Sequence, residues 1–213
     1  MYLSICTRPN IAYAVSYLAR FSSKPNKSHW TAAKRVLRYL KGTADHGIVF
    51  TKSESDECVG FSDADWAGDQ QDRKSTSGYL FQLAGGPVSW KSQRQGCVAL
   101  STAEAEYMAL SFAAQETVWL RKLLTEFGCE LSGPTILIME DNQSAIAMAN
   151  NPQFHGRAKH IDIRHHFIRE RVSHGDIRLN YCPTGDMIAD MLTKGLHQHR
   201  LKDLMGRAGI RPL

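Results

Sequence analysis

The sequence predicts an α/β fold: a mixed sheet of three antiparallel strands followed by parallel ones, with helices on its faces and two helices ahead of it. Three observations carry this expectation. Residues 1–50 repeat apolar side chains at helical spacing. Between residues 47 and 92, apolar and polar residues alternate with a period of two. From residue 102 onward, helical stretches and short apolar runs take turns.

A first helix from about Asn10 places Ile11, Val15, Leu18 and Phe21 on one face. A second, from near Ser28, does the same with Ala33, Val36, Leu37 and Leu40, and Gly42 sits where a C-cap glycine belongs. The boundary behind them is expected between Thr43 and Ser55. Strands are expected over Gly47–Lys52, Glu57–Trp66, Gly78–Ala84 and Pro87–Ser92, the last two around a Gly85-Gly86 turn. A long helix then runs from about Thr102 to Phe127. A strand over Thr135–Met139, a helix from about Gln143, a helix near residues 160–173 and a strand over Ile177–Cys182 follow, and helical segments close the chain.

Length and composition limit what these elements can do. With 213 residues, 43% of them hydrophobic, the chain can bury one full-sized core and a small helical annex. No stretch approaches the roughly 20 apolar residues that span a bilayer, and the N-terminus lacks a secretory layout, so membrane and secreted readings are set aside. Five scattered cysteines without a CxxC pair suit reduced thiols in a cytosolic compartment. Residues 1–50 hold eight Lys or Arg against one acid, Asp45, for a net +7. The remainder carries 18 basic and 20 acidic residues, net −2. A basic end of this kind suits a polyanion partner, or simply a solvated helical face.

Four acids occupy suggestive places. In the long helix, Glu104, Ser111, Gln115 and Lys122 form a polar stripe, whereas Glu106 shares its face with Ala109, Leu110, Ala113, Thr117, Leu120 and Leu124. Glu104 is explained by a capping box with Ser101. Glu106 puts a carboxylate among core residues, which is costly without a compensating charge or metal. In Cys58–Asp65, Val59, Phe61, Asp63 and Asp65 lie on one strand face; periodicity does not choose between the two acids. Asp141 ends an apolar strand and opens a helix, a position that serves either a ligand crevice or a helix cap. Asp190 lies on a short helix. If four carboxylates from separate elements converge, they make an all-oxygen site for Mg²⁺ or Mn²⁺.

Nine motifs occur in order: TRPNIAYAVSYLARF, HWTAAKRVLRYLKGT, GFSDADWAGD, RKSTSGYLF, VSWKSQRQ, ALSTAEAEYMAL, EDNQSAI, KHIDIRHHFIRE and IADMLTKGL. Through them nearly the whole chain resembles the C-terminal part of copia-type LTR retrotransposon Pol polyproteins. The resemblance implies three regions: 1–50 as the helical C-terminal end of a reverse transcriptase, 55–195 as a ribonuclease H-like domain with helices on both faces of its mixed sheet, and 196–213 as a helical tail. It also implies an endoribonuclease that hydrolyses the RNA strand of RNA–DNA hybrids with two Mg²⁺ or Mn²⁺ ions. Matching the family's Asp-Glu-Asp-Asp set gives Asp63, Glu106, Asp141 and Asp190 as catalytic and metal-binding residues, and FSDAD selects Asp63 over Asp65.

The expected partners are the hybrid and the upstream reverse transcriptase, with no membrane and no small-molecule cofactor. The expected location is the cytoplasm, in a virus-like particle, with the nucleus as alternative. Ser75, Thr76, Ser101, Thr102, Asn142 and Gln143 are candidates for backbone or 2′-OH contacts, and Trp90, Lys91 and Arg94 for the other strand. Many ribonucleases H carry a loop histidine before the last Asp; here only Tyr181–Gly185 fills that place. Histidines cluster instead at His155, His160, His165, His166 and His174, where a polar helix face is the simpler reading. The rival function is a catalytically inactive, transposon-derived remnant that binds nucleic acid. A different nuclease on the same fold is the other.

Overall fold

In a computed structural model that describes residues 1–52, 57–129, 133, 135–151 and 159–213, the chain opens with three α-helices where the spacing predicts two. α1 (Tyr2–Cys6) precedes a 3-10 turn (Pro9–Ile11), α2 (Ala12–Ala19) and α3 (Lys27–Gly42). α3 begins at Lys27, next to the expected start near Ser28, and Asn26 caps it. Its side chain accepts the His29 N–H at 3.0 Å and its own N–H donates to His29 Nδ1 at 3.2 Å, a reciprocal capping box. Gly42 is the last helical residue, not the cap beyond it; Thr43 closes the helix.

The body is built from β2 (Val59–Asp65), β3 (Thr76–Leu83), β4 (Gly86–Arg94), α4 (Thr102–Glu126), β5 (Ile136–Glu140), α5 (Gln143–Asn150), α6 (Lys159–Ser173) and β6 (Ile177–Tyr181), after a short β1 (His46–Ile48). Its five strands are ordered β4-β3-β2-β5-β6. β2, β3 and β4 are antiparallel, while β5 and β6 run parallel to β2, as the alternation predicts. β3 turns into β4 through Ala84 and Gly85, with φ of 50° and 73°, the left-handed signs that a two-residue hairpin needs. The turn thus sits one residue earlier than expected.

Two expectations fail at the margins. Gly47–Lys52 does not join the main sheet. Only His46–Ile48 pairs, and it pairs antiparallel with β7 (Ile210–Pro212), a strand at the end of a tail expected to be helical. The Val49 and Thr51 N–H groups go to the Gly209 and Ala84 carbonyls at 2.9 and 2.8 Å. The helical part of the tail is α7 (Gln198–Arg207). Gly209, at φ 77°, lies so close to Gly85 that a Cβ would overlap the Gly85 carbonyl.

Each sheet face has its own core. On one, Tyr79, Phe81, Ile136 and Ile138 cluster with Tyr107 and Leu110 of α4 and Ile168 of α6. On the other, Leu80 clusters with Ala12 of α2, Ile188, Met191 and Leu192 of a 3-10 turn (Ile188–Leu192), and Met205 of α7. Adjacent residues Leu80 and Phe81 therefore anchor opposite faces, each contributing about 1.5–3 kcal/mol through burial. The N-terminal helices share a core with the sheet. Among the described residues no helix is long and apolar enough to cross a membrane. All five cysteines are free thiols.

Candidate metal centre

β2 and β5 are neighbouring parallel strands whose register pairs Ser62 with Glu140. Asp63 and Asp141, one residue further along each, therefore emerge together at the carboxyl ends of the two strands, where open α/β sheets form crevices. α4 packs across β2 and brings Glu106 from its second turn. One carboxylate oxygen from each of Asp63, Glu106 and Asp141 lies within 4.8 Å of the others. Asp65 shares the face of Asp63 but is outside this group of three.

The surroundings differ from acid to acid. Asp63 is 2% exposed; Thr193 Oγ1 donates to its Oδ2, and Lys194 Nζ stands 3.8 Å from the same oxygen. Burial pushes its carboxyl up to about 7, with the charges of Asp190 and Asp141 adding to the rise and Lys194 opposing it. Glu106 is raised well above the ordinary carboxylate range by burial and by the charges of Glu140, Asp63 and Asp141. Its Oε2 is buried and meets no hydrogen-bond donor among the described residues. Asp141 is half-buried, and its Oδ2 accepts a 2.7 Å hydrogen bond from Thr184 Oγ1.

Asp190 lies on the 3-10 turn, not on an α-helix, and both of its oxygens face cations. Lys194 Nζ is 2.7 Å from Oδ1, and Arg200 Nη2 is 3.1 Å from Oδ2. Arg200 also donates to the Thr184 carbonyl at 2.6 Å and to that of Gly185. Burial alone would lower the Lys194 ammonium, but Asp63 and Asp190 hold it raised.

Three hard oxygen donors, one of them with a buried oxygen that meets no hydrogen-bond donor among the described residues, fit a divalent cation of the Mg²⁺ or Mn²⁺ kind. Sequence reasoning overlooked the groups that tune them: Thr184, Thr193, Lys194, Arg200 and the buried Glu140. Glu140 is fully buried behind Asp141, and its Oε1 accepts the Asn142 N–H at 3.2 Å. Burial holds its carboxyl well above the usual range. Its place as the first residue of the EDNQ run, directly before Asp141, was the only signal that pointed to it.

The polar residues proposed for substrate contacts mostly serve the fold. Ser75 is buried and accepts the Ala67 N–H; Ser101 and Asn142 cap α4 and α5. The Glu104 carboxylate accepts from the Leu100 N–H, one residue earlier than the expected capping box. Ser111, expected on the polar stripe, is buried and accepts from Arg164 at 2.8 Å. Trp90 Nε1 donates to the Ser4 carbonyl, and Arg94 pairs with Asp69 and Asp72. Thr102, Gln143 and Lys91 are exposed, and Thr76 is half-buried at the start of β3. Of the histidines, His155 and the side chains of His160 and His165 lie outside the described residues. His166 and His174 are exposed on and just after α6.

No protein-family model matches the sequence. The chain is 44% identical over 209 residues to the retrovirus-related Pol polyprotein from transposon TNT 1-94 of Nicotiana tabacum, covering 97% of this chain and 16% of that protein. It is 58% identical over 120 residues to the secreted RxLR effector protein 161 of Plasmopara viticola, covering 56% of this chain and 84% of the effector. A solved structure of the N-terminal ribonuclease H domain of a Mycobacterium tuberculosis protein, fused to maltose-binding protein, aligns with a TM-score of 0.48 at 13% identity, over 72% of this chain and 99% of that one. The chain thus spans only about a sixth of the Nicotiana relative. With an alignment that runs nearly from end to end, it belongs to the retrovirus-related Pol polyprotein family of copia-type transposons.

Proposed function

We propose that this chain is a ribonuclease H that hydrolyses the RNA strand of RNA–DNA hybrids with two bound divalent ions, as part of reverse transcription. The observation that carries the reading is the convergence of Asp63, Glu106 and Asp141 within 4.8 Å, with the buried Glu106 Oε2 meeting no hydrogen-bond donor among the described residues. Membership of the Pol family supports it.

Asp63, Glu106, Asp141 and Asp190 would hold the ions. Bound there, Mg²⁺ or Mn²⁺ supplies an activated water and charge stabilisation for the leaving oxygen of phosphodiester hydrolysis. The chain's own residues prepare that site. Thr184 fixes one oxygen of Asp141, and Thr193 fixes one oxygen of Asp63, so both carboxylates are oriented before anything binds. Burial raises the proton affinity of the Asp63 and Glu106 carboxyls, so a divalent ion held there would compete with protons for their oxygens. Lys194 and Arg200 hold Asp190. Such a site reads the shape of the hybrid rather than its bases. The reading also makes the upstream reverse transcriptase of the same polyprotein its working partner.

The test is cleavage of a labelled RNA–DNA hybrid by the purified chain with Mg²⁺ or Mn²⁺, beside EDTA, duplex DNA and Asp141→Asn controls. Loss of the RNA strand alone, dependent on metal and absent in Asp141→Asn, is the expected result. A folded chain that binds hybrid yet leaves the RNA intact, with the upstream polymerase supplied as well, would overturn the reading in favour of an inactive nucleic-acid-binding remnant.

A further inference from the structure

α3 lies outside the metal centre, and its sequence is peculiar. Its 16 residues include five Lys or Arg and no acid, and none of its residues is buried. At 3.6 residues per turn, Lys27, Trp30, Lys34, Leu37, Arg38 and Lys41 fall within about 100° of its circumference. All six are exposed, Trp30 at 63% and Leu37 at 62%. The inward side is formed by the half-buried Ala32, Ala33, Val36, Tyr39 and Leu40. The outward stripe therefore reads as four cations flanked by a ring and a branched apolar side chain, which is not how a merely solvated face is built.

Among the described residues the stripe's charges are also unspent. Arg20, Arg94, Arg121, Arg171, Lys194, Arg200 and Arg207 all form ion pairs, whereas none of the four stripe cations meets a carboxylate among the described residues. Over Lys27 to Lys41 the helix rises about 21 Å, a length along which a duplex carries roughly a dozen phosphates.

The stripe begins at the metal-centre end of the sheet. In the first turn of α3, His29 stacks on Phe21 at 3.9 Å. The preceding residue, Arg20, pairs with Asp69 in the connection that leaves β2 just beyond Asp63 and Asp65. Tyr13 of α2 feels the charge of Asp65 as well.

We propose that the outward face of α3 is a nucleic-acid track that grips the phosphate backbone of the duplex whose RNA strand enters the metal centre. Lys27, Lys34, Arg38 and Lys41 contact phosphates, and Trp30 lies against sugar and base. The choice of a hybrid as occupant rests on the ribonuclease H reading; the choice of a polyanion rests on α3 alone.

The experiment measures binding of a labelled RNA–DNA hybrid of about two helical turns by fluorescence anisotropy in EDTA, where cleavage is silent, across a salt series. The variant replaces Lys27, Lys34, Arg38 and Lys41 by Gln; circular dichroism monitors its fold, and a second variant with Arg at all four positions guards against a loss of folding. Each phosphate contact contributes about 0.9 to the slope of log affinity against log salt, so four should contribute about 3.6. Between 50 and 200 mM salt the wild type should therefore lose roughly a hundredfold more affinity than the Gln variant. The Arg variant should retain the wild-type slope.

An unchanged slope in a folded Gln variant overturns the track and leaves the cleavage reading intact. Loss of binding to anionic phospholipid vesicles with hybrid binding unchanged overturns it in favour of a membrane surface. A reduced slope in a chain that never cleaves hybrid sustains the track while the ribonuclease H reading fails.

Discussion

Glu106 and Asp190 are both neighbours of Asp63, yet their charges are balanced in opposite ways. Around Glu106 the described residues bring other acids, Glu140, Asp63 and Asp141, and no ion-paired cation; burial and those charges raise its carboxyl, and the more distant Lys194 opposes the rise only weakly. Around Asp190 they bring Lys194 to one oxygen and Arg200 to the other. One side of the cluster thus waits for a positive charge from solution, while the other already holds two. The buried carboxylates are balanced by raised proton affinity on one side and internal cations on the other, so an arriving metal meets different competitors at each.

Glu106→Gln should break the comparison most severely. Removing the acid that has no internal cation should lower Mn²⁺ affinity sharply and slow hybrid cleavage about a thousandfold, taking ~4 kcal/mol for the lost electrostatic stabilisation. The metal-free melting temperature should hold or rise, because the amide is neutral in the buried site without having to hold a proton. Calorimetric titration with Mn²⁺ and thermal melts would check both, and undiminished Mn²⁺ binding would place the ion elsewhere.

Lys194→Met probes the other side and should act in the opposite direction. Without the ammonium, Asp63 and Asp190 repel each other, so the metal-free protein should melt earlier. Mg²⁺, no longer competing with an internal cation, should bind about tenfold more tightly, given charges near 4 Å in a partly screened setting. Equal Mg²⁺ affinity in variant and wild type would mean that Lys194 does not stand where an ion goes.

The smallest effect is expected from pH. A carboxyl raised to about 7 binds its proton more tightly in the folded chain than in the unfolded one. Its contribution to metal-free stability is therefore present below about pH 4 and is lost as pH rises through about 7. Metal affinity runs the other way. Mn²⁺ should bind about tenfold more weakly per pH unit below 7 for each proton it must displace, and a titration at pH 6 and pH 8 would show a flat profile if Asp63 were already ionised.

Much of this was legible in the residues. β2 to β6 and α4 follow from periods of two and 3.6, and the helical geometry that set Glu106 apart from Glu104 needs no neighbours to be known. Asp63 and Asp65 share a strand face, so only a tertiary approach can separate them: α4 and β5 bring their acids to the first and not to the second. Thr184, Thr193, Lys194 and Arg200 are ordinary turn and helix residues until the chain folds Ile188–Leu192 beside β2, and no local pattern announces that. The run after Gly47 alternates like a sheet strand, but its partners lie at the far end of the chain.

That pairing bears on the order in which the molecule can assemble. β1 and β7 join residues about 160 positions apart and recover only a three-residue ribbon for the closure of a very long loop. The β2–β3–β4 hairpins, by contrast, close over short connections and bury both faces of the sheet's centre. The ribbon has little to hold it until Met205, Ala208 and Ile210 dock against Leu80. It is a clasp fastened last, and hydrogen exchange should find its amides opening ahead of those in β2 and β3.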